Sequence, residues 1–192
     1  MASSTGFERR KWVPALGAAL AWAGLALTGC GSNPFLTNWV PYPDTVTLYS
    51  ASDSAPNLYD GYDFVNATRA VVEGGSALGT WDLAVGSDST GLVWLPPDAL
   101  GVASSAGIIL ESGYLYDDLT VAPGDTTLFR HTPVPIVVGV PYVLRTRKVT
   151  DVLGTTCSHY AKLEPLDVDT TLGRVRFVFE ENPNCGDPRL TP

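Results

Sequence analysis

From Val134 to Leu144 an apolar side chain stands at every second position: Val134, Ile136, Val138, Val140, Tyr142 and Leu144. A period of two lines all of them along one face of an extended strand, whereas on a helix they would be spread around the axis. Pro135 and Pro141 fall on the other parity, so this strand is expected to bend or to lie partly at an edge. Arg174 to Glu180 alternates in the same way, with Val175, Phe177 and Phe179 facing in. Shorter runs of β type punctuated by turn residues are Thr45 to Tyr49, Arg69 to Val72, Gly91 to Leu95, Gly107 to Leu110, Tyr114 to Tyr116 and Thr126 to Arg130. Beyond residue 44 no window of about 12 residues keeps helical apolar spacing free of Gly or Pro, and one short helix is expected between Pro96 and Ala106. The fold is therefore expected to be all-β, a sandwich or open barrel of short antiparallel strands.

The N-terminus reads as an export signal. A basic stretch, Arg9-Arg10-Lys11, precedes an uncharged apolar run from Trp12 to Leu27, followed by Leu27-Thr28-Gly29-Cys30. Leu-Thr-Gly-Cys resembles the bacterial lipobox, in which the chain is cut just before the Cys and the thiol carries lipid. A membrane-spanning helix is the competing reading, but the run is at the short limit for a span and contains Pro14 and several glycines. Arg9-Arg10 would also suit twin-arginine export. The expected organisation is a signal peptide over 1–29, a lipidated N-terminus and tether over 30–44 with Pro34, Pro41 and Pro43, and a single β-rich domain over 45–192. The anchor would be lipid, not a helix. Gly31 and Ser32 stand where an inner-membrane retention signal would place Asp, which favours the outer membrane, with the domain facing either periplasm or cell surface.

Once Cys30 is lipidated, Cys157 and Cys185 are an even pair in an oxidising compartment, and a disulfide is the expected outcome. A free pair or a metal site are the alternatives, and two Cys without a nearby His cluster make a poor zinc site.

Charge narrows the partners. The whole chain has 12 basic and 20 acidic residues, a net charge of −8. Such a balance argues against nucleic acid, which needs a basic face. The acids dominate from Cys30 to Phe129, where Arg69 is the one base. A solvated acidic surface that aids solubility accounts for that asymmetry most simply.

Catalytic patterns are scarce: the sequence has no G-x-S-x-G, H-E-x-x-H, G-x-x-x-x-G-K or C-x-x-C. Asp60 with Asp63, or Asp117 with Asp118, could be proposed as hydrolytic pairs, but turn and solvated roles for such acids are more common. Asp167, Asp169 and Gly173 resemble half a calcium loop whose bidentate acid is missing, because Val178 stands in its place. The chain is expected not to be an enzyme.

Trp81-Asp82-Leu83-Ala84-Val85, Tyr142-Val143-Leu144-Arg145-Thr146, Tyr160-Ala161-Lys162-Leu163 and Gly173-Arg174-Val175-Arg176-Phe177-Val178-Phe179 follow one another along the chain. Their order and form resemble those of HmuY-type proteins, β-rich outer-membrane lipoproteins of which the best known bind heme. The resemblance implies a non-enzymatic envelope binding protein, with heme as a cofactor to look for. Family members hold the iron between two side chains, His or Met. His131 lies close to where one family ligand lies, and the upstream partner has no counterpart, since no His or Met occurs between Cys30 and Arg130. His159 could pair with His131, and Tyr114 or Tyr116 could ligate iron instead. Read from the residues alone, His131 is a surface histidine, Trp81 a core anchor, Asp82 an acceptor of backbone hydrogen bonds, and Lys162 a solvent-exposed side chain opposite Ala161 and Leu163. A structural or protein-interaction lipoprotein that has lost heme binding is the alternative function, and a carbohydrate-active envelope enzyme the third.

Overall fold

A computed structural model describes residues 38–52, 58–72, 79–151 and 154–192. The signal peptide, Cys30 and the first part of the tether lie outside the described residues.

The described residues form twelve strands: β1 (Asp44–Tyr49), β2 (Gly61–Asp63), β3 (Thr68–Ala70), β4 (Leu83–Asp88), β5 (Gly91–Leu95), β6 (Gly107–Leu110), β7 (Val134–Pro135), β8 (Tyr142–Arg145), β9 (Val149–Thr150), β10 (Thr156–Cys157), β11 (Tyr160–Asp169) and β12 (Arg174–Asn182). One antiparallel sheet runs in the order β1-β12-β11-β8-β6 and a second in the order β3-β2-β4-β5-β7, with β9 and β10 as a separate hairpin. Neither large sheet closes on itself, so the architecture is all-β and open.

The inward faces of the two sheets share one core. Val46, Leu48, Leu144, Leu163, Val175, Phe177 and Phe179 from the first sheet meet Tyr62, Leu83, Val85, Leu92, Trp94 and Val134 from the second. The alternation expected along β12 holds: Val175, Phe177 and Phe179 are buried, and Arg176 between them is exposed. The Phe177 ring meets Trp94 edge-on across the sheets at 5.3 Å between centroids, the arrangement that suits the quadrupoles of two aromatic rings. The β11–β12 hairpin is the long spine of the molecule. Its turn is closed by Asp169 Oδ1, which accepts hydrogen bonds from the N–H groups of Thr171 and Leu172, both at 3.0 Å. Gly173 supplies the positive φ of 60° that this turn needs. Further along β11 the register slips between Pro165 and Asp167, where Pro165 has no N–H to give to the ladder.

The alternating run from Val134 to Leu144 is not one strand. Val134 and Pro135 pair with β5 in the second sheet, and Tyr142 to Arg145 pair with β6 and β11 in the first. The chain changes sheets between them through a turn in which Gly139 has a φ of 71°. Tyr142 pins this corner: its Oη donates to the Pro135 carbonyl at 2.7 Å and accepts from the Val137 N–H at 2.9 Å. Period-two spacing is conserved across such a crossing because both arms are extended, so the pattern alone does not reveal the break.

Two of the short runs fold otherwise than expected. Tyr114 to Tyr116 leads into a 3-10 turn over Tyr116–Asp118, and Thr126 to Arg130 contains a second over Thr126–Leu128, capped by Asp125. The expected short helix is a 3-10 turn at Pro97–Leu100. The turns that follow β6 matter for packing, because they lay Leu119, Ala122 and Phe129 over the outer face of the first sheet, against Val143 and Leu190. Lys162 faces this covered side, so it is buried, with 2% of its surface exposed, and not solvent-exposed as the strand parity suggested. Its Nζ lies 4.5 Å from the centre of the Tyr116 ring, 3.3 Å from the Tyr116 carbonyl and 3.5 Å from Glu180 Oε2.

Candidate functional site

Where β8 leaves the first sheet, Arg147 reaches across to the second. Its Nη1 donates to Asp63 Oδ1 at 3.0 Å and to Asp82 Oδ2 at 2.9 Å, and its Nη2 donates to Asp63 Oδ2 at 3.0 Å. The planar fork of a guanidinium matches carboxylates in this manner, and a lysine could not. Asp82 also accepts backbone hydrogen bonds from Phe64 and Arg147, at 2.9 and 2.8 Å. The expected role of Asp82 as a backbone acceptor is therefore present, with an ion pair added. Burial pushes its carboxyl up from the ordinary range, against the opposing pull of Arg147 and the two backbone donors. These hydrogen bonds fix the start of β4 and with it Trp81, which is buried on the outer side of the second sheet with Ala84, Ala70, Val72 and Leu95.

A cleft of about 490 Å³ opens beside this junction, within the size range of small-ligand sites. Trp81, Pro97 and Val102 give it an apolar side, and Ser104, Ser105, Arg147 and Lys148 give it a polar one. Arg147 is already committed to two acids. Lys148 is exposed, and among the described residues it has no hydrogen bond or ion pair. Ser105 Oγ is shut off from solvent and has no hydrogen-bond partner among the described residues, while its carbonyl accepts from Arg145 Nε and Nη2 at 3.0 and 2.8 Å. Such a buried unpaired hydroxyl is costly unless something completes it. The cleft can thus hold a molecule with an apolar body and an anionic or hydrogen-bonding end.

The candidate iron ligands are placed apart. His131 Nδ1 lies 3.4 Å from Asp98 Oδ2, without the geometry of a hydrogen bond. Asp98 Oδ1 accepts from the Ser104 N–H at 2.8 Å, so His131 stands behind the wall of the cleft and does not line it. His159 lies near the same end of the strands, just before β11, with Nδ1 3.2 Å from the Asn182 carbonyl and 3.5 Å from Glu181 Oε1. The ladder runs from Arg130 to Ile108, Leu144 and then Ala161, so three strand spacings of roughly 4.8 Å separate the backbones beside His131 and His159. Tyr114 is exposed; the Tyr116 ring lies over Lys162, and its buried hydroxyl has no hydrogen-bond partner among the described residues.

The other acids have structural partners. Asp60 accepts from the Val72 N–H at 2.7 Å, Asp63 caps the turn at Val65 and Asn66 while holding Arg147, and Asp167 pairs with Arg174 at 2.9 Å. Asp117 and Asp118 are exposed. Cys157 and Cys185 form the disulfide expected from the cysteine arithmetic, joining the β9–β10 hairpin to the segment after β12. The cleft, the Arg147 junction and the covering of Lys162 escaped the sequence reading, since each depends on residues far apart in the chain.

Among the described residues no helix is long and apolar enough to cross a membrane. No protein-family model matches the chain, and no curated protein matches it in sequence.

Proposed function

We propose that this chain is a non-enzymatic, lipid-anchored binding protein of the bacterial outer membrane with an HmuY-like fold, and that the cleft beside Trp81 is where its ligand sits. The cleft carries this reading: an apolar wall faces a lysine and a buried serine hydroxyl that are both without partners among the described residues. The lipobox-like Leu27-Thr28-Gly29-Cys30 and the alternating strands of the first sheet support the anchor and the family. Heme, an apolar macrocycle with two carboxylates, has the right polarity for the cleft and is the ligand the resemblance implies.

The test is a heme titration of the fragment starting at Gly31, followed by absorbance. A saturable shift to a sharp low-spin spectrum that His131→Ala abolishes supports heme ligation by His131. A saturable shift that ignores His131→Ala but weakens on Lys148→Glu supports heme held in the cleft by its carboxylates. A flat, non-saturating response removes heme and leaves another anionic amphiphile for the cleft.

A second reading is a protein-interaction lipoprotein that has lost heme binding. The acid beside each of His131 and His159 favours it. It expects no heme response and an envelope protein recovered by crosslinking at the cell surface; recovery of none counts against it. A carbohydrate-active enzyme ranks third, since Asp63 and Asp82 are both tied to Arg147.

A further inference from the structure

The disulfide lies against a histidine. Cys157, His159 and Cys185 each offer a ligand atom, and these atoms all lie within 4.8 Å of one another. In sequence the two thiols lack a His cluster and make a poor zinc site. Folding supplies an imidazole: β10 ends at Cys157, His159 follows before β11, and the chain after β12 returns Cys185 alongside.

Hydrogen bonds hold these residues together alongside the sulfur–sulfur bond. The Gly186 N–H donates to the Ser158 carbonyl at 2.9 Å, so the two cysteine-bearing segments are hydrogen-bonded to each other directly. Tyr160 pairs with Asn182 in the β11–β12 ladder, and the His159 N–H donates to Thr146 Oγ1 at 2.9 Å while its carbonyl accepts from the Thr146 N–H at 3.0 Å. His159 is thus fixed from both sides, and its Nδ1 faces the Asn182 carbonyl and Glu181 Oε1. With Nδ1 held by those acceptors, Nε2 is the nitrogen the ring has left to give. A carboxylate or carbonyl on the second ring nitrogen is what orients metal-binding histidines.

We propose that Cys157, Cys185 and His159 form a redox-gated site for a thiophilic divalent cation, Zn2+, closed by the disulfide and opened by its reduction. A dithiol reductant gives two electrons and two protons to the disulfide, leaving two thiols on the protein and a disulfide on the reductant. Zn2+ then takes the place of two protons, forming two zinc–sulfur bonds and one bond to imidazole nitrogen, with water in the fourth position. Two thiolates and an imidazole are a donor set suited to zinc in tetrahedral geometry. Glu181 serves as the outer acceptor that orients His159 and does not touch the metal.

The full-length chain in detergent is treated with a dithiol, freed of it without air, and titrated with Co2+ as a visible stand-in for Zn2+. The reduced protein is expected to develop a thiolate-to-cobalt charge-transfer band at one equivalent, displaced by Zn2+; the oxidised protein develops none. Cys157→Ser/Cys185→Ser, which retains Cys30, is expected to lack the band. His159→Ala is expected to weaken Co2+ binding by roughly tenfold or more, and Glu181→Gln by roughly tenfold, as for outer acceptors of zinc histidines. A band that persists in the double variant, or an affinity indifferent to His159→Ala, overturns the proposal. Circular dichroism guards against unfolding: if the reduced chain loses its β signal and Zn2+ does not restore it, the site does not exist.

Discussion

Arg147 and Asp82 join the two sheets through the backbone and the side chain at once: the Arg147 N–H donates to Asp82 Oδ1 at 2.8 Å and Nη1 donates to Asp82 Oδ2 at 2.9 Å. Because Asp82 has no exposed surface, its charge has no water to fall back on. Asp63, buried as well, shares the same guanidinium. Removing one partner of a buried pair leaves the other charge unpaired, which typically costs ~3–5 kcal/mol. Arg147→Ala is expected to lower the urea unfolding free energy by about that amount. Arg147→Lys should fall between, because an ammonium keeps the charge and loses the fork. A loss within about 1 kcal/mol for Arg147→Ala would mean that water replaces the guanidinium and that the cleft is wetter than its walls suggest.

Lys162 poses the same question under a different cover. Its ammonium is enclosed by the Tyr116 ring and carbonyl and by Glu180. Lys162→Ala removes the charge and the stem, leaving Glu180 without its cation and Tyr116 without its support. The expected loss is about 3 kcal/mol, the low end for a buried pair. Lys162→Met retains most of the packed length and should cost clearly less. Urea melts of the two variants check this ordering; equal losses would make the charge the whole effect.

These residues also mark where sequence reading stops. The inner face of β12 is legible because a period of two survives in any half-buried strand, and the disulfide is legible from two thiols in an oxidising compartment. Lys162 is misread since parity gives the face of a strand but not what covers that face; here the covering comes from a loop with no regular period. The run from Val134 to Leu144 misleads for a related reason, as Gly139 turns the chain into the other sheet without disturbing the spacing. Asp82 and Arg147 are 65 residues apart and Asp63 and Arg147 are 84 apart, separations at which nothing local announces a pair. The cleft inherits that illegibility, being built around their junction.

The disulfide spans 28 residues of sequence and encloses the whole β11–β12 hairpin. Closing a loop of that length in the unfolded chain gives a stabilisation of roughly 3.6 kcal/mol in the chain-entropy treatment. Cys157→Ser/Cys185→Ser is expected to lose about 2–4 kcal/mol in urea unfolding. Adding a dithiol should bring the unmodified domain down to the variant and leave the variant unmoved. If the reductant shifts both equally, the effect lies outside this bond.

The disulfide-bonded form should also be more stable in mild acid than in mild base, on account of two groups side by side. The carboxylate of Glu181 beside His159 raises the imidazole above its ordinary value, against the effect of burial. Burial likewise raises Glu181, with His159 pulling the other way. A group raised in the folded state binds its proton more tightly there than in the unfolded chain, so its contribution is present in full below the unfolded value and fades as pH climbs through the folded one. For Glu181 the decline begins above pH ~4.5 and for His159 above pH ~6.5, the ordinary values of the two groups. Thermal melts should therefore show stability falling across these windows as pH rises. His159→Gln is expected to flatten the upper part of that slope, while the lower part, which belongs to Glu181, extends to higher pH once His159 no longer pulls that carboxyl down. A slope above neutrality that survives His159→Gln would place the titrating group elsewhere and detach His159 from the pH response of the domain.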